Sequence, residues 1–124
     1  IGKNAFGGCS KLKEINFNAT ICSNLSKGTF TYVGHDTDGV TINFGENVTV
    51  IPANLLYADV VAPKITAVNF AINTVCHTIG DNAFNNCKEL SNIEIPYNVT
   101  SIGDWAFANC TRLKTVSFDE KLSK

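Results

Sequence analysis

No methionine occurs anywhere in the 124 residues, and there are only three prolines and a single tryptophan. No apolar run reaches the ~18 to 20 residues that a membrane-spanning helix needs, so membrane insertion by a helix is not expected. Charge is scarce, at 17% of residues, where soluble domains usually carry about 25%. Ten Lys and Arg face eleven Asp and Glu with no block of like charge. A nucleic-acid or anionic-membrane surface, which needs clustered cations, is therefore not expected. The opening Ile1-Gly-Lys-Asn is not a basic segment followed by an apolar one, so no signal peptide is read there. With no initiating Met, Ile1 reads as internal to a longer gene product.

What is present is apolar mass and neutral polarity. Hydrophobic residues make up 44%, enough to build one core in a chain of single-domain length. Asn, Thr and Ser supply most of the polar groups. Their distribution follows an internal repeat. Ile79-Gly-Asp-Asn-Ala-Phe-Asn-Asn-Cys-Lys-Glu-Leu-Ser-Asn-Ile-Glu-Ile95 is matched 23 residues later by Ile102-Gly-Asp-Trp-Ala-Phe-Ala-Asn-Cys-Thr-Arg-Leu-Lys-Thr-Val-Ser-Phe118. Residues 1–17 form a third copy with the same internal spacing. Two looser copies lie between them. One starts at Leu25 and has Thr29-Phe30 where the others have Ala-Phe. The other starts at Ile51 and has Leu55-Leu56 there. Each of the two carries three extra residues. Starts at 1, 25, 51, 79 and 102 make about five repeats in a single domain over 1–124, the signature of a solenoid. Cys22, Val48, Cys76 and Val99 stand three residues before successive starts, and Leu122 continues the column. The next start falls at 125, and no polar-faced cap is recognised at either end, so the sequence reads as a stretch of a longer array without its native caps.

Leu-x-x-Ile-x-Phe ends in period-two alternation, which predicts a short strand with one buried face. Before it, Ala-Phe-x-x-Cys-x-x-Leu is apolar at every third position, which predicts a short helical or 3₁₀ turn. The expected fold is an α/β solenoid in which stacked repeats join their strands in a parallel sheet. The pattern Ile-Gly-x-x-Ala-Phe-x-x-Cys-x-x-Leu-x-x-Ile-x-Ile/Phe, joined by Val-Thr-Ser-Ile-Gly, resembles the BspA-like leucine-rich repeat proteins. The resemblance covers essentially the whole chain and is strongest in repeats one, four and five. It implies a cell-surface or secreted protein that binds or adheres to a host or cell-surface protein or glycan, with a structural spacer carrying another domain as the alternative.

Residues with reactive side chains fall into the repeat columns. Cys9, Cys87 and Cys110 share one column, and Cys22 and Cys76 share another. Both columns are otherwise apolar, so the five thiols are expected to be buried and unpaired. Cys87 and Cys110, in adjacent repeats about 4.8 Å apart, could reach a disulfide but do not need one. No zinc spacing is present. His35 and His77 are far apart in register and neighbour no nucleophile, so no catalytic residue, cofactor or metal is assigned and no enzyme is expected. His35-Asp36-Thr37-Asp38-Gly39 is short of the acidic residues of a calcium loop and reads as a polar turn. Asn18, Asn24, Asn47, Asn98 and Asn109 head Asn-x-Ser/Thr triplets, which are glycosylation acceptors in a eukaryotic secretory pathway and, on the favoured reading, chance occurrences in an Asn-rich bacterial chain.

Two surfaces are candidates for ligand binding. One is the outward strand column Asn16, Asn43, Asn69, Glu94 and Ser117, which serves either as a stacking ladder or as a recognition face. The other is the pair of insertions at 32–39 and 57–63. There Tyr32, His35 and Tyr57 supply aromatic surface, and Asp36, Asp38 and Asp59 supply charge. These loops alternatively pack on each other, with Val60 and Val61 buried beneath. Phe6, Phe30, Leu56, Phe84 and Phe107, the sixth residue of each repeat, are expected to form one internal ladder.

Overall fold

The computed structural model describes residues 1–120, and Leu122 of the apolar column lies outside the described residues. The chain winds as a parallel β-solenoid. The longer strands are β1 (Glu14–Phe17), β2 (Val40–Phe44), β4 (Ile65–Phe70), β6 (Asn92–Ile95) and β8 (Thr115–Phe118). Three short strands, β3 (Val50–Ile51), β5 (Thr78–Ile79) and β7 (Ser101–Ile102), alternate with them from β2 onward. The short strands pair β3-β5-β7, while the longer ones form two separate sheets, β1-β2-β4 and β6-β8. Every pairing is parallel and follows the repeat register: Ile15 opposes Ile42, Phe17 opposes Phe44 and Phe44 opposes Phe70. β4 bulges by one residue against β2, where Val40 opposes Ile65 but Thr41 opposes Ala67.

The core is built from the repeat columns. Ile42, Phe44, Ile51, Ile65, Ile79, Phe84 and Leu90 are fully buried between the strands and the turns. The sixth-position ladder is present. Phe6 stacks on Phe30 with centroids 5.1 Å apart, and Phe84 on Phe107 at 5.0 Å. Leu56 lies buried in the same core as Phe30 and Phe84. Phe6, in the outermost repeat, is exposed.

The expected helical or 3₁₀ turns are not formed, and no helix occurs among the described residues. The hydrogen bonding gives the reason. In repeat four the amides alternate. Ala83, Asn85 and Cys87 donate back to Gly80, Asn82 and Phe84, while Asn82, Phe84 and Asn86 donate to Asp104, Ala106 and Ala108 of the next repeat. A helix requires every successive amide to turn inward on its own chain. Here every second one joins the stack instead. The three-residue apolar period is thus realised as consecutive tight turns. These turns need left-handed residues, which fall in register at the fourth position: Asn4, Gly28, Asn54, Asn82 and Trp105 all have φ between 57° and 89°. Asn and Gly tolerate that conformation, whereas Trp does not.

Candidate functional site

The polar strand column is a hydrogen-bonded chain. Asn69 Nδ2 donates to Asn43 Oδ1 at 3.0 Å, Asn43 Nδ2 to Asn16 Oδ1 at 3.0 Å, and Asn16 Nδ2 to Glu14 Oε1 at 2.8 Å. A carboxylate only accepts, so Glu14 fixes the direction of the whole row. Each amide points its nitrogen toward repeat one and its oxygen toward repeat four. The row ends on Asn69, since the next residue of the column, Glu94, has no donor to offer its Oδ1, and the sheet ends there too, since β4 and β6 are not hydrogen-bonded to each other.

The backbone explains this end. At the position after each longer strand, the amide donates to the last strand residue of the preceding repeat: Gly45 to Phe17 at 3.0 Å, Ala71 to Phe44 at 3.0 Å, and Asp119 to Ile95 at 2.8 Å. The corresponding residue of repeat four is Pro96, which has no N–H. Among the described residues no amide of repeat four donates to the Phe70 carbonyl. The sheet opens there into a cleft of about 320 Å³, whose walls include Asn69, Phe70, Ile72, Glu94, Tyr97 and Asp119. A second, shallower cleft shares Asn69, Phe70, Ala71 and Ile72 with it and continues past Asn43 to Asn18. Ile72 is 96% exposed on the rim between the two.

The insertion loops are tied to their neighbours more than the sequence suggested. Ser10 Oγ donates to Asp36 at 2.6 Å, His35 Nε2 lies 3.1 Å from the Ala62 carbonyl, and Lys64 Nζ donates to the Thr37 carbonyl at 2.7 Å. Thr37 Oγ1 donates to Gly34 O and accepts from Gly39 N, which makes the stretch around Asp38 a polar turn. The loops do meet, since Tyr32 N donates to Val61 O. Val60, however, is 70% exposed rather than buried beneath them; Ala58, Ala62 and Pro63 take the inward positions. Tyr32 is exposed, meets His35 edge-on at 5.9 Å, and borders a groove of about 610 Å³ with Lys3, Lys27 and Asp59. Lys27 lies over the Tyr57 ring at 5.0 Å and 3.6 Å from Asp59. The hydrogen bond to Asp59 raises the Tyr57 hydroxyl above its usual pKa. The structure thus sorts the candidate residues between the strands and the loops. Asn16, Asn43 and Asn69 share one sheet face, and Glu94 lies across the break, on the β6-β8 sheet. Tyr32, His35, Asp36, Asp38, Tyr57 and Asp59 lie on the loops.

All five cysteines are free thiols. Cys76, Cys87 and Cys110 are buried, Cys22 is half-buried, and Cys9 is exposed, against the expectation for the column, because repeat one is the outermost described turn. Cys110 Sγ donates to the Phe84 carbonyl at 3.2 Å instead of bridging to Cys87. Two of the triplet asparagines already spend their amide nitrogens inside the fold: Asn98 donates to Thr74 O and Asn109 to Asn85 Oδ1.

The profile of the BspA type leucine rich repeat region, six copies long, matches residues 1–60 and 64–124. The chain belongs to the BspA-type leucine-rich repeat family. No curated protein and no solved structure matches it significantly. The sequence reasoning missed the cleft at Pro96. Its only signal was a proline in the column that otherwise reads Asn18, Gly45, Ala71 and Asp119.

Proposed function

We propose that this BspA-type chain is a non-catalytic binding module of a cell-surface or secreted protein, and that its outward sheet face engages a host or cell-surface protein or glycan. The observation that carries the reading is the row Asn16–Asn43–Asn69, whose amides are held in one orientation on the outward face of the strands and bordered by two connected clefts. Polar groups fixed before a ligand arrives lose little freedom on binding, which raises affinity for a given contact area. Solenoid sheets present faces of this extended kind. The reading gives no part to a cofactor, a metal, nucleic acid or membrane insertion.

A second reading places the ligand on the insertion loops. It is favoured by one observation, the exposure of Tyr32 and Val60 around the groove that also holds Asp59. The spacer reading is the remaining alternative, in which the amide row only stiffens the stack. Three proteins separate them in an assay of adhesion to host-cell extract: the native chain, an Asn43→Arg variant, and a variant with residues 32–39 and 57–63 shortened to the length found in repeats four and five. The sheet-face reading expects adhesion to fall at least tenfold in the first variant and to persist in the second. The opposite pattern moves the site to the loops. Equal adhesion by all three leaves the spacer.

A further inference from the structure

The cleft between β4 and β6 is asymmetric in its chemistry. Its charged groups are both carboxylates, and two further acceptors face it beside the hydroxyl-bearing Thr74 and Tyr97. Glu14 sets the direction of the asparagine row, so the group Asn69 turns toward β6 is its Oδ1, its nitrogen being committed to Asn43. Pro96 withholds the amide that would otherwise cover the Phe70 carbonyl. Glu94 continues the asparagine column on the far side, and Asp119 stands two residues beyond Ser117, the strand partner of Glu94, so both carboxylates lie on the same outward face. Phe70, Ile72 and Tyr97 give the cleft apolar and aromatic walls, and no Lys, Arg or His is among its described lining residues. The occupant that complements this set carries positive charge, several donors and a flat apolar surface.

Resting on the binding-module reading above, we infer that the β4–β6 cleft is a receptor for an arginine side chain of a protein partner. A guanidinium presents five N–H donors in one plane, enough to serve carboxylates and carbonyl oxygens together, and its faces stack on aromatic rings. A lysine ammonium offers three donors and no flat face. A neutral saccharide would leave two carboxylates without a counter-charge. Specificity here follows from how the sheet is interrupted. The missing ladder bond leaves the Phe70 carbonyl without an amide donor, and the amide row brings a second acceptor to the same place.

The test is a two-dimensional amide NMR titration of the full 124-residue chain with three probes: acetyl-Gly-Arg-Gly-amide, the same peptide with citrulline in place of arginine, and methyl glucoside. Citrulline keeps the shape and removes the charge. The expected result is saturable shifts at Asn69, Ile72, Glu94 and Asp119 with the arginine peptide, at least tenfold weaker binding of the citrulline peptide, and no shift with the glucoside. The variant Glu94→Gln/Asp119→Asn, with its dispersed spectrum retained, should bind the arginine peptide at least tenfold more weakly. Equal binding of the two peptides, a response to glucoside at these residues, or arginine shifts confined to another surface would each overturn the inference. Loss of host-extract adhesion in Asn43→Arg, together with an arginine-blind cleft, leaves the binding module standing and removes the arginine site. Saturable arginine binding in a chain that adheres to nothing does the reverse.

Discussion

The rings of Phe84 and Phe107 lie parallel, 2° apart, with centroids separated by 5.0 Å. They belong to successive repeats and the same position in each, so the contact is the stacking of the solenoid seen at one column. Phe84 is fully buried, meets Phe44 edge-on at 6.2 Å, and thereby joins the turn column to the strand column. Replacing Phe84 by Ala should cost about 3 to 5 kcal/mol, since it removes a buried ring and leaves a cavity that two flanking repeats cannot both close over. Urea unfolding checks this. A loss below about 1 kcal/mol would mean that the columns are misaligned.

Pro96 and Phe70 make the opposite kind of prediction, because there a contact is missing. In Pro96→Ala the new amide at position 96 has the Phe70 carbonyl in the place where Ala71 finds Phe44. The added bond contributes about 1 kcal/mol, and the loss of the proline's rigidity in the unfolded chain offsets about 0.4 to 1 kcal/mol of it. Net stability should therefore change little, while the structure changes visibly. Cross-strand proton contacts should appear between Asn69 and Glu94, and the amide at 96 should exchange slowly. Rapid exchange at 96 with no such contacts would show that something other than the proline holds the sheet open.

The contrast between these two sites shows what could be read in the sequence. Phe84 was legible because its role is that of its side chain, and side chains recur visibly at Phe6, Phe30 and Phe107. The strands were legible for the same reason, since Leu90-x-x-Ile93-x-Ile95 alternates. The turn conformation was not. The period of three in Ala83-Phe84-x-x-Cys87-x-x-Leu90 is shared by a helical turn and by a run of tight turns, and only the destination of the amides distinguishes them. Asn4, Asn54 and Asn82 in one column did carry a backbone signal, but a side-chain reading passes over it as surface polarity. The break at Pro96 was hidden at the same level, because it turns on the backbone donor at that position and on the register that gives the donor a partner. Candidate residues on the loops were legible as chemistry and not as geometry: nothing in Asp36 announces that Ser10, 26 residues away, already holds it.

Trp105 occupies the fourth position of its repeat with φ of 61°, where the other repeats place Asn or Gly, and it is 71% exposed. A bulky side chain in the left-handed region costs about 1 to 2 kcal/mol, and so exposed a ring regains little by packing. Trp105→Gly should accordingly raise the unfolding free energy by about 0.5 to 1 kcal/mol, after the greater freedom of glycine in the unfolded chain is deducted. The mirror experiment is Asn82→Ala, where the same backbone geometry loses a tolerant residue and the Asn82 Oδ1 that accepts from Asn85 at 2.9 Å. That variant should be less stable by about 1 to 2 kcal/mol. Thermal unfolding of the pair decides the matter. Destabilisation by Trp105→Gly would assign the ring a packing role.

Burial of Cys110 should make the solenoid sensitive to alkali. Desolvation pushes its thiol from the ordinary value of 9.0 to about 11, and it raises the fully buried Cys87 as well, with the neighbouring Cys110 adding to the effect. A raised thiol pKa means that the folded chain holds its proton after the unfolded chain has released it. The stability from the protonated thiol is therefore complete below about pH 9 and drains away as pH climbs toward 11. For Cys110 the rise from 9.0 to about 11 bounds the loss at about 3 kcal/mol, and the solvent that still reaches the thiol reduces it further. Melting temperatures at pH 7, 9 and 10.5 should be level over the first interval and fall over the second, and Cys110→Ala should fall less steeply than the native chain. Alkylation at pH 8 gives the complementary reading: exposed Cys9 should label within the mixing time, while Cys76, Cys87 and Cys110 should wait for denaturant. Rapid labelling of those three in the native chain, or an identical alkaline slope in Cys110→Ala, would show that the thiol column is not sealed.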